Sequence, residues 1–167
     1  MLPPCCAGAD IRCHRPSHNN DPVNMSTYLS ADLRARLDAA DDARCVYCQT
    51  TVGNTGQPLT VDHIIPTAQD GSSAFDNLCY ACRRCNEYKG ATIKSTDPLS
   101  GTLVPLFHPR HDRWDDHFAW DATGIRIVGL TPMGRATVIV LSMNNEYIVD
   151  ARRRWVSAGW HPPRPES

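Results

Sequence analysis

The stretch that decides the reading runs from Cys45 to Gly90. Cys45-Val46-Tyr47-Cys48 opens it, Asp62-His63-Ile64-Ile65-Pro66 and Asn77-Leu78 follow, and Cys82-Arg83-Arg84-Cys85-Asn86 leads into Lys89-Gly90. Two Cys-x-x-Cys pairs can close one tetrahedral four-sulfur zinc site, and a site closed in this way stabilises rather than reacts. Cys79, Cys82 and Cys85 are evenly spaced, so the second pair is either 79/82 or 82/85. Cys79 lies in the apolar run Leu78-Cys79-Tyr80-Ala81, where a cysteine behaves as a small hydrophobe. Cys45, Cys48, Cys82 and Cys85 are therefore the expected ligands.

Around this stretch the composition is that of an ordinary soluble protein. Of 167 residues, 21% are charged and 41% hydrophobic, which is enough for one domain with a core and little for a second. The net charge of −1 provides no global basic field. Local basic clusters can still steer a polyanion, and two occur: Arg83, Arg84, Lys89 and Lys94, then Arg152 to Arg154 with Arg164. No apolar stretch approaches the ~20 residues of a membrane span, and the first residues lack the apolar run of a secretory signal. Eight cysteines in such a chain read as metal ligands and reduced thiols in a cytoplasmic setting.

Residues 1–24 lack apolar periodicity and are expected to form a disordered tail, with Met25 a candidate start. A zinc knuckle from Cys5, Cys6, Cys13, His14 and His18 would need unfavourable spacing. Residues 25–100 are assigned to the metal-bearing domain, and 101–167 to a C-terminal extension packed on it. Ser30 should cap a helix through Ala40. Cys45 to Pro66 reads as two short strands, the knuckle and Leu59–Ile65, around a turn at Gly53-Asn54-Thr55-Gly56. A helix should begin near Cys82 and run into the low 90s. Downstream, Gly124–Val128 and Ala136–Leu141 read as strands, and Asn144 or Asn145 should cap a final helix carrying Ile148, Ala151 and Trp155 on one face.

These residues resemble the HNH endonuclease family in its zinc-containing, stand-alone bacterial form. The resemblance rests on the two cysteine pairs, Asp62-His63-Ile64-Ile65-Pro66, Asn77-Leu78, and Asn86 with Lys89-Gly90. The segments Leu106–Arg110 with Trp114, His117-Phe118 and Trp120, then Gly129-Leu130-Thr131 and Gly134-Arg135-Ala136-Thr137, resemble the tail of such proteins. It implies an α+β, ββα-metal core stapled by the four-cysteine zinc site, and hydrolysis of DNA phosphodiesters. His63 matches the family's general base, and an imidazole is largely neutral at cellular pH. Asp62 matches the carboxylate ligand of a catalytic Mg²⁺ or Mn²⁺ ion, and Asn77 the residue that orients the histidine. Many members carry histidine where this chain has Asn86. The amide oxygen is a hard ligand, so an H-N-N variant favouring Mg²⁺ or Mn²⁺ over softer ions is implied.

Arg83, Arg84 and Lys89 are the residues expected to hold DNA phosphates. Taken singly, each of these positions has an ordinary reading: a histidine in a turn, an Asx turn at Asn77, or a solvated helix face. The spacing between the knuckles ties them together. His108, His111, Asp112, Asp115, Asp116 and His117 read as loop decoration around Phe107, Trp114, Phe118 and Trp120. A zinc module that binds nucleic acid or protein without cutting is the alternative to a nuclease, and a thiol-based redox function is a third.

Overall fold

The computed structural model describes residues 29–163. Ser30, in extended backbone, accepts from the Leu33 amide at 3.1 Å and starts α1 (Ala31–Asp41). This is the helix its capping serine predicted. Leu37 is the fully buried apolar residue of α1. The helix ends on a buried carboxylate: Asp41 takes Arg110 in a two-point pair at 2.6 and 3.0 Å and accepts from the Tyr80 amide at 2.7 Å.

The knuckle at Cys45–Cys48 is a tight turn, with only an isolated bridge between Arg44 and Thr51. The segment after it is a helical turn, α2 (Val52–Thr55), capped by Thr51 and ended by Gly56 at φ 62°. The expected strand at the knuckle is therefore absent. β1 (Thr60–His63) instead pairs antiparallel with β2 (Leu78–Ala81), in the register Asp62 opposite Cys79 and His63 opposite Leu78. A long connection over residues 64–77 joins them, so no two-residue turn signal marked the hairpin. α3 (Arg83–Lys89) follows at once, starting on Cys82 and closing at Gly90. Two strands and a helix thus pack together, in the order ββα.

Beyond it lie two further antiparallel pairs. β3 (Lys94–Thr96) joins β4 (Leu103–Pro105), and β5 (Phe118–Trp120) joins β6 (Ile127–Gly129) after a short α4 (Trp114–His117). The expected strand at Ala136–Leu141 is a helix, α5 (Pro132–Val140). Thr131 caps it through the Gly134 amide at 3.1 Å, and Pro132 occupies its first turn, where its missing N–H costs nothing. This start overrides the strand preference of Thr137-Val138-Ile139-Val140. The final helix, α6 (Glu146–Ser157), is capped by Asn145 through the Ile148 amide, as its sequence indicated.

The buried face of α6 holds a surprise. Arg152 is fully buried, donating from Nη1 to the carbonyls of Met143 (2.9 Å) and Ile125 (3.3 Å) with its guanidinium over the Trp120 ring. Its expected place on a solvated or DNA-facing surface is overturned. One hydrophobic cluster runs from Cys45, Cys48, Cys82 and Cys85 through Phe107 and Phe118 to Leu141 and Met143. The core of the extension is therefore continuous with the cysteine cluster. The reading of residues 1–24, including Cys5, Cys6 and Cys13, lies outside the described residues.

Candidate active site

The four knuckle sulfurs converge. The Sγ atoms of Cys45, Cys48, Cys82 and Cys85 all lie within 4.8 Å of one another, and all four residues are buried. An ion about 2.3 Å from each sulfur spaces tetrahedral ligands roughly 3.8 Å apart; Cys48 and Cys82 stand at 3.7 Å. Hydrogen bonding to Cys45 draws the Cys48 and Cys82 thiols below the ordinary range, while burial pushes Cys45 up. The donor set thus fits zinc. Cys79 stays outside, buried 3.7 Å from the Tyr47 hydroxyl, with its thiol pushed well up by burial.

His63 ends β1, partly exposed, with Nε2 2.9 Å from Ser73 Oγ. Burial pulls its pKa below that of a free imidazole, which is itself largely neutral at pH 7; the Asp62 charge opposes this shift and the Lys89 charge adds to it. Asn77 does not bond the imidazole, contrary to the expectation from sequence that it orients the ring directly. It braces the loop after His63: Oδ1 accepts from the Ile65 amide at 2.8 Å, and Nδ2 donates to the carbonyls of Ile65 (2.9 Å) and Ser72 (2.8 Å). Ser72 precedes the serine at His63. Asn77 therefore acts on the histidine through backbone at both ends of one loop.

Gly71 belongs to the same device. A Cβ there would lie 1.7 Å from the Ile65 carbonyl oxygen and 2.9 Å from Asn77 Nδ2. Sequence reasoning missed Gly71 and Ser73, because a glycine and a serine in a polar loop carry no motif of their own.

Asp62 is 4% exposed and faces inward. Its Oδ2 accepts from the Tyr47 hydroxyl at 2.7 Å, and the Lys89 ammonium lies 3.1 Å from Oδ1 and 3.0 Å from Oδ2. Burial raises the Asp62 pKa, and the Lys89 charge opposes that shift. Asn86 turns to β1 as well, donating from Nδ2 to Thr60 Oγ1 at 3.0 Å. Asp62 is thus satisfied by protein, whereas Asn86 commits its amide nitrogen and not the oxygen expected to ligate. As it stands, Asp62, with an ammonium across both carboxylate oxygens, does not fit a Mg²⁺ or Mn²⁺ ion.

The basic residues divide. Lys89 is 2% exposed and its Nζ also donates to the His63 carbonyl at 2.8 Å, so it is an interior residue rather than a phosphate contact. Arg84 is half-buried, donating to the Ser142 carbonyl at 3.0 Å, with Nη2 3.9 Å from Cys85 Sγ. Its charge faces the cysteine cluster. Arg83 remains exposed, paired with Glu87 one turn on at 2.6 Å. The stacked rings of His108 and His111 and the nearby Asp112 gather no three-ligand group; among the described residues the four cysteines are the only such cluster.

The family model described as HNH endonuclease matches residues 45–92. This segment is an HNH domain. The cysteine cluster gives the HNH domain the character of the zinc-containing variant. No curated protein and no solved structure matches the chain. The HNH family is one of nucleases, and among the described residues no helix is long and apolar enough to cross a membrane.

Proposed function

We propose that the protein is an endonuclease that hydrolyses DNA phosphodiester bonds, with His63 as general base. The observation that carries this reading is the position of His63. It closes β1 beside the zinc platform, partly exposed, with its proton affinity lowered and its following loop fixed by Asn77. A neutral imidazole reachable from solvent can take a proton from an attacking water, and holding it in one orientation spares the reaction an entropic cost. Zinc bound by Cys45, Cys48, Cys82 and Cys85 would fix the knuckles against β2 and α3 and take no part in the chemistry.

Of Arg83, Arg84 and Lys89, Arg83 is the one on the surface for a phosphate, since Arg84 and Lys89 have interior partners. The family's divalent ion would supply Lewis-acid chemistry at the phosphate; Asp62, the carboxylate expected to hold it, is spanned by the Lys89 ammonium instead. The saturation of Asp62 favours a second reading, a zinc module that binds nucleic acid without cutting it. Incubation of the purified protein with supercoiled plasmid, with and without Mg²⁺ or Mn²⁺, separates the two: nicked or linear product supports the nuclease, and binding without product supports the module.

A further inference from the structure

The oxygen cage beside His63 already holds a cation. Asp62 Oδ1, Asp62 Oδ2 and the His63 carbonyl lie 3.1, 3.0 and 2.8 Å from Lys89 Nζ. The ammonium sits astride both carboxylate oxygens, and the Tyr47 hydroxyl occupies a further lone pair of Oδ2 at 2.7 Å. These three oxygens are the hard donors a divalent ion would seek, at ~2.0–2.6 Å. Two cations cannot share them, because like charges a few ångströms apart in a buried site repel strongly.

We infer that Lys89 is the resident cation of this cage, and that in the DNA-free protein it closes Asp62 to Mg²⁺ or Mn²⁺. The inference rests on reading Asp62 as the family's metal position; its subject is ion occupancy and not cleavage, so either can fail alone. The geometry supports a built device rather than a chance pairing. Lys89 is the last residue of α3, held over β1 by Gly90 in the left-handed region at φ 49°. Its chain is buried along its whole length, and it spans 27 residues of sequence to meet Asp62. Through the His63 carbonyl it also positions the residue proposed as base. An ion that engaged Asp62 would have to displace the ammonium first.

Mn²⁺ titration of the zinc-loaded full chain without DNA, followed by electron paramagnetic resonance, tests this. The wild type and Asp62→Asn should superimpose, with no ion held through Asp62. Lys89→Met should gain a site, tightening Mn²⁺ binding by on the order of tenfold or more, and Asp62→Asn combined with Lys89→Met should lose it again. Lys89→Arg, which keeps the cation, should behave as wild type. Should Lys89→Met not fold, the comparison of wild type with Asp62→Asn decides alone. Wild-type Mn²⁺ binding that Asp62→Asn abolishes would overturn the inference, as would a folded Lys89→Met that gains nothing. Plasmid cleavage that depends on His63 would stand in either case.

Discussion

Asn77 and Ile65 form a two-point amide clamp. The side-chain oxygen of Asn77 accepts from the Ile65 amide at 2.8 Å, and its nitrogen donates to the Ile65 carbonyl at 2.9 Å. A third bond to the Ser72 carbonyl closes the loop that carries Ser73 to His63. Asn77→Ala should cost ~1–3 kcal/mol, because three part-buried backbone groups lose their partners. Asn77→Asp should be no milder, since a carboxylate would face the Ile65 and Ser72 carbonyls. Thermal denaturation checks both, and cleavage should fall in both, because the histidine's loop is released.

Gly71→Ala is expected to damage the same loop by crowding. The added methyl would overlap the Ile65 carbonyl, which is backbone and cannot swing aside. The cost should be ~1–3 kcal/mol or more, as for other overpacked sites. A midpoint temperature equal to the wild type's would show that the loop relaxes freely.

How far these residues could be read in advance depended on how local their signals are. The zinc ligands were legible because two Cys-x-x-Cys pairs announce themselves within four residues each, and Ser30 and Asn145 because a cap acts on the next turn. The strand at Leu78–Ala81 was read only as the apolar setting of Cys79, since nothing near it marks its pairing with β1. The inward turn of Asp62 and Lys89 depends on that pairing and on the helix packed against it. For the same reason Lys89 was expected on the surface. The β-branched run in α5 pointed to a strand until Thr131 and Pro132 set the helix start.

Lys89→Ala should therefore act through stability. Removing one partner of a buried ion pair leaves an uncompensated charge and typically costs ~3–5 kcal/mol. The salt dependence of DNA binding should stay unchanged, whereas loss of a phosphate contact would lower its slope by about one. Arg83→Ala should show the opposite pattern, with weaker binding and little change in stability.

Zinc removal should unfold the core. The four sulfurs belong to the hydrophobic cluster that reaches Leu141 and Met143, so losing the ion would leave four buried thiols without their common partner. Structural zinc supplies ~10–16 kcal/mol of apparent binding energy in small domains. One zinc per chain is expected by elemental analysis, with a cooperative loss of secondary structure on chelation. A chelated protein that keeps its circular dichroism would contradict the assignment.

Acid should weaken the fold through His161. Burial, with the Arg152 charge behind it, lowers its pKa to about 4, and the residue is 5% exposed. The unfolded chain takes up its proton near pH 6.5 and the folded chain only near 4. The unfolded state thus binds more protons between these values, and stability falls as pH drops through that window. The loss amounts to roughly 3 kcal/mol at most, less where solvent screens the charge. Smaller contributions of the same sign come from His63 and His108. Denaturant titrations from pH 7 to pH 4 should show it, with a shallower slope in His161→Asn.

The role of His63 as the base of a DNA-cleaving site is tested most directly by the rate of supercoiled-plasmid cleavage. The wild type and His63→Ala are compared, both zinc-loaded and matched in circular dichroism. The wild type should nick the plasmid, and His63→Ala should do so ~10²–10⁴-fold more slowly, the range for a lost general base. Equal rates, or a wild type that binds the plasmid and never cuts it, would contradict that role.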